Sequence, residues 1–193
     1  MNTKYKTIIV GDSNVGKTSI LNVFLNKKIE NKSTIGTEFA SKFMEQYNFT
    51  LQIWDCAGQE KYRSLTKIYY RGTQVCIFVF DLNNPSSLNN IKTFWINNYL
   101  QSAIQSIFIL VGNKSDLPIT IDYNIIWDLC KTYDMKYIEA SATESKNINH
   151  IFDTVSQLLL KKYDSLHISY NNDYLNDSIN ISTTTTYNPY SCC

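Results

Sequence analysis

The run Gly11-Asp12-Ser13-Asn14-Val15-Gly16-Lys17-Thr18 has the phosphate-cradling spacing G-x-x-x-x-G-K-S/T and stands directly after the apolar run Ile8-Ile9-Val10. A loop that leaves a buried strand and opens a helix gathers backbone N–H groups at one point, where the helix dipole also favours negative charge. Its natural occupant is a nucleotide polyphosphate. Gly11 and Gly16 allow close backbone approach, and Ser13, Asn14, Val15 and Ser19 lie along the path that the phosphates would follow. Lys17 can reach the β- and γ-phosphates, and the Thr18 hydroxyl can ligate Mg²⁺. Taken alone, the loop fits an ATPase, a GTPase or a kinase.

A second motif narrows the base. Asn113-Lys114-Ser115-Asp116 follows the apolar run Ile107 to Val111 and resembles the N-K-x-D element of Ras-like GTPases. A carboxylate at Asp116 can accept hydrogen bonds from the ring N–H and the 2-amino group of guanine. Adenine offers neither donor, so it would strand a desolvated carboxylate at a cost of roughly 1–3 kcal/mol or more. The same resemblance has the Lys114 stem pack on the ring face, Asn113 tie the loop together, and Ser141-Ala142 present a backbone N–H to the guanine carbonyl.

The third motif, Trp54-Asp55-Cys56-Ala57-Gly58-Gln59-Glu60, resembles the W-D-x-A-G-Q-E of that family. Taken singly, Asp55 also reads as a strand-end cap and Gln59 as a solvent-facing side chain. The resemblance makes Asp55 a holder of Mg²⁺ through a water, with Gly58 bringing a backbone N–H to the γ-phosphate. Gln59 then orients the attacking water and joins Lys17 as a catalytic residue. Thr34, in Ser33-Thr34-Ile35-Gly36, matches the loop threonine that completes the metal shell only while the γ-phosphate is present. Losing that phosphate releases Thr34 and Gly58, so two loops relax and the surface they present changes.

Assembled, the chain resembles the Rab family of small GTPases from about Tyr5 to Lys162 and again at its last two residues. The resemblance rests on Ile35-Gly36-Thr37-Glu38-Phe39, Leu51-Gln52-Ile53-Trp54, Lys61-Tyr62-Arg63-Ser64-Leu65, Tyr69-Tyr70-Arg71-Gly72 and Phe78-Val79-Phe80-Asp81. It implies an effector surface at Ile35, Gly36, Phe39, Trp54 and Tyr69, and the stretch from Gln59 to Gly72 is most similar to early-endosomal members. Cys192-Cys193 matches the double-cysteine ending that carries two geranylgeranyl groups. Also implied are effectors, an exchange factor, a GTPase-activating protein, a GDP-dissociation inhibitor and a prenylation escort protein. The expected seat is the cytoplasmic face of an intracellular membrane, endosomal by that branch likeness, with a cytosolic GDP-bound pool. Three departures stand out: the segment from Thr18 to Thr34 is about two residues short, Ile29 occupies the place of an aromatic beside the guanine, and Thr143 replaces a lysine after Ser-Ala. Asn14 replaces a residue that is often small, and asparagine tolerates left-handed backbone. Two other readings compete: an interaction module that scarcely hydrolyses nucleotide, and a Ras- or Rho-type signalling GTPase. Gln59 argues against the first. The ending without a C-a-a-X form, and the lack of an insert between Asp116 and Asp122, argue against the second.

These residues need a sheet to carry them. Apolar runs at Ile8–Val10, Leu51–Trp54, Val75–Phe80, Ile107–Val111 and Tyr137–Ala140 read as strands, separated by helical stretches near Gly16–Asn26, Lys61–Tyr70, Ser86–Ser102, Asp122–Tyr133 and Ile148–Lys162. That alternation implies a mostly parallel sheet with helices on both faces, the three-layer α/β arrangement of a P-loop NTPase. A further edge strand near Phe39–Tyr47 is expected to pair antiparallel with the one after Asn48, because so short a turn leaves no room for a helical crossover. Chain length, 193 residues, fits one domain, taken as 1–163. All 18 basic residues and 14 acidic ones precede residue 164; Asp164 to Cys193 holds three acidic residues and none basic, and reads as a disordered tail, not a polybasic anchor. A net charge of +1 argues against bulk nucleic-acid binding. Cys56, Cys76 and Cys130 are expected to be buried thiols in a reducing compartment, since no cleavable apolar region follows the first residues. His150 and His167 have no metal-ligand spacing and take no role.

Overall fold

The computed structural model describes residues 3–29, 34–59, 63–102 and 106–163, and in the helix at 63–70 side chains only from Thr66 onward. Ser33, Glu60-Lys61-Tyr62, and the tail with Cys192 and Cys193 lie outside the described residues. Strands β1 (Thr3–Val10), β2 (Thr37–Met44), β3 (Phe49–Cys56), β4 (Val75–Asp81), β5 (Ile107–Asn113) and β6 (Lys136–Glu139) form one sheet in the order β2-β3-β1-β4-β5-β6. Only β2 runs antiparallel, paired with β3 through a short turn at Asn48, whose φ of 54° is left-handed. The expected antiparallel edge strand is present, ending at Met44 before a 3-10 turn over Glu45–Tyr47.

Side-chain parity divides the core. Ile9, Ile77, Val79, Ile109 and Val111 point to one face, where they meet α1 (Lys17–Phe24) and a helix over residues 148–163, α6. Ile8, Val10, Cys76, Phe78, Phe80 and Leu110 point to the other, against α3 (Pro85–Asn90), α4 (Ile96–Leu100) and α5 (Tyr123–Tyr133); α2 (Arg63–Tyr70) joins this side through Tyr70. The two-residue period of a strand produces this division, and burying each large apolar side chain contributes roughly 1.5–3 kcal/mol. The runs Ile8–Val10, Val75–Phe80 and Ile107–Val111 are therefore apolar at nearly every position, as helices on both faces demand. The three cysteines are free and buried as expected, and burial pushes the Cys56 thiol up to about 12, which leaves it unreactive.

The helix expected over Ser86–Ser102 departs from the regular pattern. Asn84 caps its start by accepting the Ser86 N–H at 3.2 Å, with Pro85 in the first turn, but Ile91–Trp95 form a π-turn before α4 resumes. Helical periodicity does not reveal this, because one residue of over-length leaves the apolar stripe nearly in place. At the opposite end of the sheet, Lys42 of β2 donates to the Phe24 carbonyl at 2.6 Å and lies 3.7 Å over the Phe24 ring. That ring stacks on Phe152 of α6 at 3.6 Å. One lysine thus ties β2 to the C-terminal end of α1, where the helix dipole favours a cation.

Candidate phosphate, metal and base site

Because β1, β3, β4, β5 and β6 are parallel, their carboxyl ends share one edge of the sheet, and each motif leaves from it. The loop after β1 is shaped by backbone that favours glycine: Gly11 has φ 147° and Gly16 φ 94°. A Cβ on Gly11 would meet the Val79 carbonyl at 2.1 Å, and one on Gly16 would meet Asn113 Nδ2 at 2.2 Å. Asn14, at φ 62°, is in the left-handed conformation that asparagine tolerates. Ser13 and Asn14 are exposed, while Val15 is buried and anchors the loop. Lys17 is only 5% exposed, and its ammonium donates to the Asp12 carbonyl at 2.7 Å. Burial lowers its pKa and the nearby Asp55 carboxylate opposes that. A charge so poorly solvated is ready to meet an anion.

The Thr18 hydroxyl donates to Asp55 Oδ2, so the Thr34 hydroxyl, 2.5 Å away, donates to Thr18. Three sequence-distant candidates therefore meet at one point. Asp55 is fully buried, and its Oδ1 has no hydrogen-bond partner among the described residues. Burial pushes this carboxyl up to about 6, against the pull of Lys17 and Thr18. An orphaned carboxylate oxygen beside two hydroxyls is a set of hard oxygen donors that fits Mg²⁺, which takes few protein ligands and fills its shell with water and phosphate oxygens. Ser19, behind Thr18, is half-buried in the first turn of α1.

Gly58 lies against the phosphate loop. A Cβ there would meet the Asp12 carbonyl carbon at 2.3 Å and the Ser13 nitrogen at 2.4 Å, so only glycine allows this closure. Gln59 follows and is half-buried. The neighbouring Ala57 N–H donates to the Gly36 carbonyl at 2.8 Å, which joins the Thr34 loop to the Gly58 loop. Beyond them Phe39, Trp54 and Tyr69 form a continuous aromatic surface, with ring centroids 4.9 Å and 5.2 Å apart. Ile35, in the loop before β2, is 78% exposed.

On the base side Asn113 donates to the Val15 carbonyl at 2.8 Å and accepts the Ala142 N–H at 3.2 Å. It ties the phosphate loop, β5 and the loop after β6 into one unit. Ser141 Oγ donates to Asp116 Oδ1 at 2.5 Å, which orients an otherwise exposed carboxylate. Lys114, in left-handed backbone at φ 64°, pairs with Asp81 at 2.7 Å. That partner was not assigned from sequence, although Asp81 and Asn113 pair at the ends of β4 and β5. Ile29 is 41% exposed, and Thr143 is exposed too. A further unassigned contact lies at Asp12, whose carboxylate accepts from Asn90 Nδ2 at 2.6 Å and from Trp95 Nε1 at 2.9 Å.

Comparison with known proteins gives these contacts a context. The model of the Ras family matches residues 6–161. The Ypt/Rab-type GTPase ypt71 of Schizosaccharomyces pombe is 37% identical over 186 residues, covering 89% of this chain and 86% of its own. Ras-related protein Rab7 of Pisum sativum is 37% identical over 194 residues, covering 93% and 91%. A probable Rab-related GTPase of Acanthamoeba polyphaga mimivirus is 36% identical over 195 residues, covering 92% and 90%. The early-endosomal likeness is overturned, for these relatives include proteins named Rab7 and ypt7. It rested on the single short stretch Gln59–Gly72, whereas the similarity to these relatives runs over most of the chain.

Proposed function

We infer the working cycle from one premise: the chain belongs to the Ras family and, within it, to the Rab-type GTPases, enzymes that hydrolyse GTP to GDP and regulate vesicle trafficking. The observation that carries the reading is the meeting of Thr18, Thr34 and Asp55. It joins the phosphate loop, the loop before β2 and the end of β3, so whatever binds there couples nucleotide state to the shape of both loops.

The roles follow. The loop from Gly11 to Ser19 cradles the phosphates, with Lys17 neutralising charge on the β- and γ-groups. Thr18, Thr34 and Asp55 hold Mg²⁺, which when bound shields the phosphate oxygens and withdraws charge from them. Gln59 orients a water in line with the γ-phosphorus. The water's oxygen forms the new bond to the γ-phosphorus as the bond to the β–γ bridging oxygen breaks; the electron pair leaves with GDP, one proton stays on the attacking oxygen and the other ends on a phosphate oxygen. Catalysis of this kind is positioning and electrostatics, so turnover is slow until a GTPase-activating partner supplies an arginine. Asn113, Lys114, Asp116, Ser141 and Ala142 hold the guanine. Ile35, Gly36, Phe39, Trp54 and Tyr69 are read by effectors while Thr34 and Gly58 are held.

Residues 1–163 are the GTPase domain, and 164–193 are a tether ending in lipidated Cys192 and Cys193. GTP-bound protein sits on an endosomal or related membrane; the GDP form is extracted by a GDP-dissociation inhibitor and reloaded by an exchange factor. An escort protein presents the tail for prenylation. The test is single-turnover hydrolysis of bound GTP, with and without an activating protein. Gln59→Leu should bind GTP normally and lower the stimulated rate by roughly 10²-fold or more. A stimulated rate within a few-fold of the wild type would overturn the assignment.

A further inference from the structure

Asp12 is the most heavily engaged residue of the phosphate loop, and its partners come from a part of the chain that no motif covers. A carboxylate in a loop that must accept polyphosphate is an electrostatic liability unless it is turned away and satisfied. Here both its oxygens are held from the far side: Oδ2 accepts from Asn90 at 2.6 Å and Oδ1 from the Trp95 indole at 2.9 Å. Trp95 is fully buried, so its N–H needs a partner and the ring cannot drift.

The local helix geometry explains how both reach one residue. Five positions apart on a regular α-helix, two side chains point roughly 140° away from each other. Asn90 and Trp95 bracket the π-turn Ile91–Trp95, whose hydrogen bonds span five residues and bring such a pair round to one side. The π-turn is thus the device that aims two donors at a single carboxylate. On its other side Asp12 meets the hydrolytic machinery directly. Its carbonyl accepts the Lys17 ammonium at 2.7 Å, and its backbone is the wall against which Gly58 closes, with 2.3 Å to an imagined Cβ.

We propose that Asn90 and Trp95 are positioning residues for GTP hydrolysis: they clamp Asp12, and the clamped backbone sets both Lys17 and the closed position of Gly58. The proposal rests on the reading of Gly11 to Ser19 as the phosphate loop. Neither is among the residues assigned to phosphate, metal or base, and their effect on hydrolysis is carried by Asp12. In the absence of the clamp, Asp12 would turn toward the phosphates and the wall behind Gly58 would loosen. The GTP-specific closure should suffer more than GDP binding, because only the former uses Gly58.

Three variants of the full chain test this: Asn90→Ala at a half-buried position, Trp95→Phe, which removes the N–H and leaves a smaller aromatic ring, and Asp12→Ala. Single-turnover hydrolysis of bound GTP is measured beside GDP affinity by mant-GDP titration. Asn90→Ala and Trp95→Phe should each slow hydrolysis about fivefold to tenfold, with GDP affinity within about threefold of wild type. In the Asp12→Ala background, adding Trp95→Phe should slow hydrolysis no further, because the path is already broken. Hydrolysis within twofold of wild type in Asn90→Ala, or losses that multiply fully in the double variant, would overturn the clamp. Lys17→Ala separates the two levels: if it abolishes mant-GDP binding the loop reading stands whatever the clamp variants do, and if it binds as wild type the loop reading itself fails.

Discussion

At Asp55 the chemistry of the site becomes measurable. Burial pushes its carboxyl up to about 6 from an ordinary 3.8. The unfolded chain ionises this group first, so the nucleotide-free protein should lose stability as pH rises from about 4 to about 6 and regain it on acidification. Below about 6 a proton also competes for the oxygens that would face Mg²⁺. The Mg²⁺ concentration that half-maximally slows mant-GDP release should therefore rise about tenfold per pH unit below 6 and level off above 7. In Asp55→Asn the profile should be flat; a sloping one would assign the proton elsewhere. Ile29 carries a second prediction. An aliphatic edge beside the base forgoes an aromatic contact of about 0.5–1.5 kcal/mol, so Ile29→Phe should slow mant-GDP release by roughly twofold to tenfold. Equal release rates would show that the base does not lie against this residue.

Elements contribute by where they end and what ties them down. Parallel strands bring Asp55, Asp81, Asn113 and the loop after Glu139 to one edge, so four stretches of chain far apart in sequence become one site. The strand β2 that follows the Thr34 loop depends on a different tie. Lys42 fills the carbonyl end of α1 and covers Phe24, which in turn stacks on Phe152. A charged hydrogen bond with a cation–π contact at a half-buried site should be worth about 2 kcal/mol. Lys42→Met, which keeps much of the stem, should lower the urea-unfolding free energy of the GDP-bound protein by that amount with an unchanged denaturant slope. A loss under about 0.5 kcal/mol would show the tie to be incidental. The helical pattern of Ser86–Ser102 was readable as one helix, but the π-turn inside it was not, because apolar spacing is insensitive to a single wide turn while the direction of Asn90 and Trp95 depends on it.

For the whole molecule, the distribution of charge bears on how the proposed lipid anchor would have to work. Among the described residues no helix is long and apolar enough to cross a membrane. The last thirty residues add three acidic groups and no basic one, so they offer no attraction to anionic headgroups. On the proposed lipidation of Cys192 and Cys193, both lipids would be needed for stable anchoring, since one holds only marginally and reversibly. After prenylation in vitro, Cys192→Ser should sediment with liposomes only partly and wash off, and Cys192→Ser with Cys193→Ser should remain in the supernatant. Single-variant protein that resists washing as wild type does would refute the two-lipid tether. Local motifs by themselves determined the layered sheet and the GTPase family, and they supplied the residues proposed for phosphate and guanine, because each depends on residue type at fixed short spacing. The family was legible as well, but its branch was not, because the early-endosomal likeness rested on one short stretch while the similarity to Rab7-type relatives runs over most of the chain. Only the tertiary structure decided which distant groups meet. The convergence of Thr18, Thr34 and Asp55, the pairing of Lys114 with Asp81 and the hold of Asn90 and Trp95 on Asp12 all depend on strand register and helix winding. These are set by how the two faces of the sheet pack, and no single stretch of sequence encodes that.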